Sequence, residues 1–184
     1  MICTLEQAYE FVLREKVCTI FGSRNSPYPS LWDNVNLPDK RTGESGWGEK
    51  TTAIWRWKNE LPATFPNEIF YGKVAGGDAV LMELGHLREK HYPLAKKEAS
   101  SISPLAEQIY RHIKIEPLFT GELRKRVMNE SACTRSRFDT ALKKLQITLN
   151  IARSDHPDDK RDRWVAFSEM YPEIVEIYSA DNSE

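Results

Sequence analysis

Cysteine is scarce in this chain. Cys3, Cys18 and Cys133 are an odd number, widely scattered. That excludes a disulfide framework and fits a reducing compartment, so we expect a cytoplasmic protein. No two of the cysteines stand at metal-ligand spacing. His86, His91, His112 and His156 pair with no Cys, Asp or Glu at a zinc-like interval, so neither a metal nor another cofactor is expected. Long apolar runs are also missing. The longest resemble Ala79–Met82, far short of the roughly 20 residues a bilayer needs. Residues 1–14 contain Glu6 and Glu10 and no apolar stretch of the kind a secretory signal needs. Excess charge is absent too, with a formal net charge of -1. No Walker sequence, G-x-G-x-x-G, G-x-S-x-G or Cys–His nucleophile pattern occurs, which removes the commonest nucleotide-binding and hydrolase signatures.

The 184 residues are 40% hydrophobic and 29% charged, enough to bury a core in one or two domains. The charge is uneven. Residues 104–170 carry 13 basic and 10 acidic groups, residues 1–103 carry 13 of each, and residues 171–184 carry four acids and no base. The middle block alone is basic. That suits a polyanion partner if the charges share one surface, and a plain solvated face if they do not.

Patterning is clearest after residue 103. Ser103 followed by Pro104 is an N-cap with proline at the first helical position. Leu105, Ile109 and Ile113 then recur at helical spacing, with Ala106 beside them. Thr120 is the next N-cap candidate, with Leu123 and Val127 facing inward. Thr134 caps a third helix, whose apolar face is Phe138, Ala141, Leu142 and Leu145. Two strand-like runs follow, 148–153 and 163–168, joined by a polar link. Helix, helix, short turn, helix, hairpin is the order of a winged helix-turn-helix, whose last helix enters the major groove. Its outward cations and polar groups make the DNA-contact candidates: Arg124, Lys125, Arg126, Ser136, Arg137, Thr140, Lys143 and Lys144, with Lys160, Arg161 and Arg163 in the wing. Asp155, Asp158, Asp159 and Asp162 crowd the same wing and would repel phosphate.

The first half is less plain. Thr4 and Gln7 form a capping box before Leu5, Ala8, Phe11 and Val12. Residues 30–35 fit one helical turn. Residues 50–61 read as a helix on Ile54, Trp57 and Leu61, stopped by Pro62. Residues 68–74 and 79–83 read as a hairpin across Gly76-Gly77, and 84–91 as a last helix. The sequence shows no internal repeat. The expected architecture is α+β and mainly helical, with tandem winged helix-turn-helix units bearing small β-hairpin wings. A divergent, Trp-rich unit spans 1–92, a linker 93–103, a winged helix-turn-helix 104–173 and an acidic tail 174–184. Trp57 lies on the apolar stripe and belongs to the core. Trp55 lies on a second face beside Arg56 and Lys58, which suits either base stacking or a domain interface.

A resemblance runs through Pro29–Trp32, Ala53–Lys58, Phe70–Lys73, Ser103–Ala106, Ser136–Phe138, Ala141–Gln146, Trp164 and Tyr171–Glu173. These stretches resemble short bacterial proteins related to the AlkZ/YcaQ DNA glycosylases, over roughly residues 5–173. The resemblance implies winged-helix units and DNA repair, with double-stranded DNA, intact or damaged, as partner. It also implies a catalytic Gln-apolar-Gln/Asp signature, which Gln7, Gln108 and Gln146 do not match, so no catalytic residue is carried over. The leading expectation is a DNA-binding protein without excision activity. One alternative is a reduced glycosylase using Asp33, Asp39 or Glu44. Another is a winged-helix module that contacts proteins through its tryptophans.

Overall fold

The computed structural model describes residues 1–22, 25–41, 43, 45–159 and 161–180. The chain is α+β, mostly helical, with two three-stranded antiparallel sheets. It divides into two compact units, residues 1–87 and 88–184.

The first unit opens with α1, Leu5–Glu15. Thr4 caps it by accepting from the Gln7 amide. Gln7 reaches back as a capping box requires, although its Oε1 accepts from Cys3 N–H at 2.7 Å rather than from Thr4. Ala8, Phe11 and Val12 bury the inner face. Lys16 ends the helix at φ 68, and the chain enters β1, Val17–Thr19, all of it buried. Ser30 caps the single turn α2, Leu31–Asn34.

The third helix, α3, runs Glu49–Thr64 and buries Ala53, Ile54, Trp57, Leu61 and Pro62. Pro62 therefore does not stop it. Proline forfeits only the one bond to the Lys58 carbonyl, and the Phe65 amide still closes on Leu61 O at 2.9 Å. Strands β2, Ile69–Lys73, and β3, Ala79–Glu83, form the expected hairpin. Its turn needs the left-handed region twice, at Gly76 (φ 92) and Gly77 (φ 95), which side-chain-bearing residues enter only with strain. A third strand was not foreseen: β1 pairs with β3, Val17 opposite Met82, so the order is β1-β3-β2. The turn α4, Leu84–His86, leaves β3 directly, followed by a π-helical segment, Leu87–His91.

The second unit begins with two short helices, α5 (Tyr92–Ala95) and α6 (Ala99–Ile102). Residues 93–103, expected as a linker, therefore carry structure. Ala99 is buried in this unit's core and Ile102 packs against it. Ser103 caps α7, Pro104–Ile115, by accepting from the Ala106 amide. Ala106, Ile109 and Ile113 form its buried stripe, with Leu105 at the core's edge. Strand β4, Leu118–Phe119, comes next. It leads straight into α8, Thr120–Glu130, so Phe119 rather than Thr120 holds the cap position. Thr134 caps α9, Arg135–Ile147, which buries Phe138, Ala141, Leu142 and Leu145. Strands β5, Ile151–Arg153, and β6, Arg163–Ala166, form the hairpin, and β4 adds on the far side of β6. The turn α10, Phe167–Met170, and the helix α11, Pro172–Ala180, complete the described chain. The acids expected as a tail thus begin inside α11, and residues 181–184 lie outside the described residues.

Set side by side, the two units have the same order of elements. From α1 and from α7 alike the chain runs helix, strand, helix, helix, strand, strand, short helical turn. In both sheets the last strand is central and the first is paired to it.

Candidate nucleic-acid interface

The Thr134 hydroxyl accepts from the Arg137 amide at 3.3 Å and sets the start of α9. With Phe138, Leu142 and Leu145 locked inward, helical geometry forces Ser136, Arg137, Thr140, Lys143 and Lys144 outward, and all five are exposed. Two shallow hollows flank this face. One runs against the first turn of α7, where Ser103, Pro104 and Leu105 meet Arg137 and Lys144. The other lies over Arg135, Ser136, Asp139 and Lys143.

The cations singled out from sequence divide into two groups. Arg124 donates to Asp139 Oδ1 at 2.9 Å, and its guanidinium lies 5.3 Å from the Phe138 ring centroid. Arg126 pairs with Glu116 at 2.6 Å. These two hold α8 in place. Among the described residues, Lys125, Arg137, Lys143 and Lys144 have exposed side chains outside every recorded ion pair.

In the wing, Arg161 and Arg163 both reach the Phe119 ring, at 5.1 and 5.7 Å from its centroid. Lys160 lies outside the described residues. The wing's acids are largely matched from within. Arg153, only 5% exposed at its side chain, donates to Asp162 Oδ1 at 2.7 Å and to the Asp159 carbonyl at 3.3 Å. Arg163 reaches the Asp159 carboxylate at 3.9 Å. The expected repulsion of phosphate therefore falls mainly on Asp158, which stands exposed beside His156. Asp155 is partly desolvated, which raises its carboxyl above the usual range. Sequence reasoning passed over Arg153, whose only signal was a cation at the end of an apolar strand.

The three glutamines are occupied structurally. Gln7 accepts from Cys3 N–H, Gln108 donates to Glu130 at 3.1 Å, and the buried Gln146 donates to Leu142 O at 3.3 Å. Asp33 and Asp39 are exposed in the first unit, where Asp39 accepts from the Lys40 amide at 2.7 Å. Glu44 lies outside the described residues. Among the described residues, no three His, Cys, Asp or Glu gather as a metal set, and no helix is long and apolar enough to cross a membrane.

Trp57 is buried, as its stripe required, and Trp55 is 44% exposed on a second face of α3. The flanking Lys58 is not a free phosphate ligand. It is 5% exposed, because its ammonium lies over the Trp55 ring, 4.4 Å from the centroid, and bonds Asn59 Oδ1 at 2.8 Å. In comparison with known proteins, a family model described as AlkZ related matches residues 2–168. No curated protein and no solved structure matches the chain.

Proposed function

The chain belongs to the AlkZ-related family, and on that premise we propose that it is a DNA-binding protein of two winged-helix units. In this reading the second unit grips duplex DNA with α9. The order helix, strand, helix, helix, strand, strand supports a winged helix in each unit. The observation that carries the function is the outer face of α9. Arg137, Lys143 and Lys144 stand exposed there, outside any recorded ion pair, with Ser136 and Thr140 between them. In a major groove, Arg137 in the first turn faces base edges, where its fork fits guanine O6 and N7. Lys143 and Lys144 meet phosphates, and Arg161 with Arg163 flanks the same duplex from the wing.

The chain acts on this DNA as a reader. Excision would need a polar group free to position water or stabilise the sugar beside an extruded base. All three glutamine amides are instead held in structural hydrogen bonds. The decisive experiment titrates a long duplex at several salt concentrations. Binding that weakens steeply with salt, through counterion release, supports the reading. No binding at low salt overturns it. A glycosylase assay on methylated duplex with excess protein is expected to yield no abasic sites above buffer. Release that is lost in Asp33→Ala, Asp39→Ala or Glu44→Ala would put the enzyme reading first.

A further inference from the structure

We propose that the first unit carries a stacking platform for unpaired nucleobases, built from Phe21, Trp32, Trp47 and Trp55. The inference deepens the nucleic-acid reading above and rests on it. The four rings form a connected surface cluster. Trp47 meets Trp55 edge-on with centroids 5.6 Å apart, Phe21 lies 6.4 Å from Trp55, and Phe21 lies 5.7 Å from Trp32. Trp47 is 64% exposed and Phe21 41%. Trp32 packs against the core of this unit, but Phe21, Trp47 and Trp55 stand outside that core, which Trp57, Phe11, Ile54 and their neighbours fill. A contiguous exposed aromatic patch of this kind marks a binding surface.

The chemistry around the rings selects the occupant. Lys50 places its ammonium 4.6 Å from the Trp32 ring centroid. Trp32 and Trp47 share a shallow hollow with Lys40 and Arg41, and with one acid, Asp39. An apolar protein partner would strip water from these cations without repaying it. A nucleic-acid strand satisfies both features at once, since its bases stack on indoles and its phosphates meet the cations. The parallel element order sharpens the contrast. α3 stands in the first unit where α9 stands in the second. The exposed face of α9 offers cations and hydroxyls, whereas α3 offers Trp55, with Trp47 just before its first turn. Paired DNA hides its ring faces in the stack, so only bases in a single strand, a bulge or an extruded position can use the platform.

The test uses the whole chain and its own fluorescence. Trp57 and Trp164 are buried, so quenching on titration reports chiefly on Trp32, Trp47 and Trp55. The probes are oligo(dT), a fully paired duplex, and the same duplex with one bulged base. Wild type is expected to be quenched by oligo(dT) or the bulged duplex more strongly than by the paired one, and the two arms identify the source of the unpaired base. Trp47→Ala and Trp55→Ala should each weaken that binding by about 10-fold, with paired-duplex affinity unchanged. Trp55→Phe should retain most of it. Trp47→Ala alters a loop residue outside the core, so its loss cannot be ascribed to unfolding. Equal affinity of wild type and both alanine variants, or no preference for unpaired bases in wild type, overturns the platform while leaving duplex binding by α9 standing. Loss of duplex binding in wild type with oligo(dT) binding intact overturns the α9 reading alone.

Discussion

Arg124 reaches across from α8 to Asp139 on α9 at 2.9 Å, and its guanidinium covers the ring of Phe138, the neighbouring residue on α9. Arg135 also approaches Asp139, at 3.7 Å. One carboxylate thus gathers two arginines at the start of the helix we assign to the groove. Cations that read alike in sequence differ in duty. Arg124 fixes the helix, whereas Arg137 is exposed and takes no part in this pairing.

Arg137→Ala with Lys144→Ala should therefore lower duplex affinity, and loss of the Lys144 phosphate contact should reduce the slope of log affinity against log salt by about 1. Both side chains are exposed, so stability should stay within about 0.5 kcal/mol of wild type. Anisotropy titrations across a salt series and a urea melt check the two halves. An unchanged slope would remove Lys144 from the interface, and an unchanged affinity would remove both residues.

Phe138 is fully buried among Ile109, Leu123, Leu142 and Leu145. Phe138→Ala should cost about 3–5 kcal/mol through lost contacts and a residual cavity. Arg124 would lose its ring at the same time. Equilibrium unfolding in urea measures this, and a cost under about 1 kcal/mol would contradict the packing described.

Arg153 is the buried member of a pair whose partner, Asp162, is half exposed. Removing the arginine would leave a carboxylate that water can still reach. Arg153→Ala should therefore cost about 1–3 kcal/mol, less than breaking a fully buried pair. It should also restore a repulsive wing, weakening duplex binding at low salt more than at high salt. Stability and salt-series titrations on the same variant separate the two effects.

Cys18 lies buried on β1, and burial pushes its thiol up from 9.0 to about 12. Cys3 is exposed. An aromatic disulfide reagent at mildly alkaline pH should modify Cys3 in the native protein and reach Cys18 only after unfolding. The pH dependence has a definite sign. Between about 9 and about 12 the unfolded thiol has lost its proton and the folded one keeps it, so stability falls as pH rises through that window. Cys18→Ala should show a shallower fall than wild type when melting is followed across it.

Much of the second unit was legible because its signals are local. Ser103-Pro104 and Thr134 announce helix starts, and the spacing of Phe138, Leu142 and Leu145 fixes which side of α9 faces out. Gly76-Gly77 announces a turn that demands two left-handed residues. One outer strand of each sheet was not legible. Val17–Thr19 and Leu118–Phe119 are too short to display a period of two, and only their distant partners make them strands. Residues 93–103 looked like a spacer because Ala99 and Ile102 are lone apolar residues among serines and lysines. Lys58 read as a cation beside an exposed ring, and Arg153 was passed over. One is covered by an indole and the other by a wing carboxylate, neither of which spacing reveals. The likeness of the two units is absent from the residues themselves, because packing asks for apolar volume at each position rather than a particular side chain.

The placement of the last strand in the middle of each sheet has a consequence for how the chain is made. A ribosome delivers Val17–Thr19 long before Ala79–Glu83, and Leu118–Phe119 well before Arg163–Ala166. In both cases the early strand gains its ladder partner only when nearly the whole unit has emerged, although Thr19 also bridges Ser30. Each sheet can therefore be completed only after its last strand is made, when a local hairpin and a distant strand meet on one ribbon. The first half reaches that point by Glu83, before the helices of the second have been synthesised. The nascent chain thus presents two successive folding problems of modest size rather than one large one.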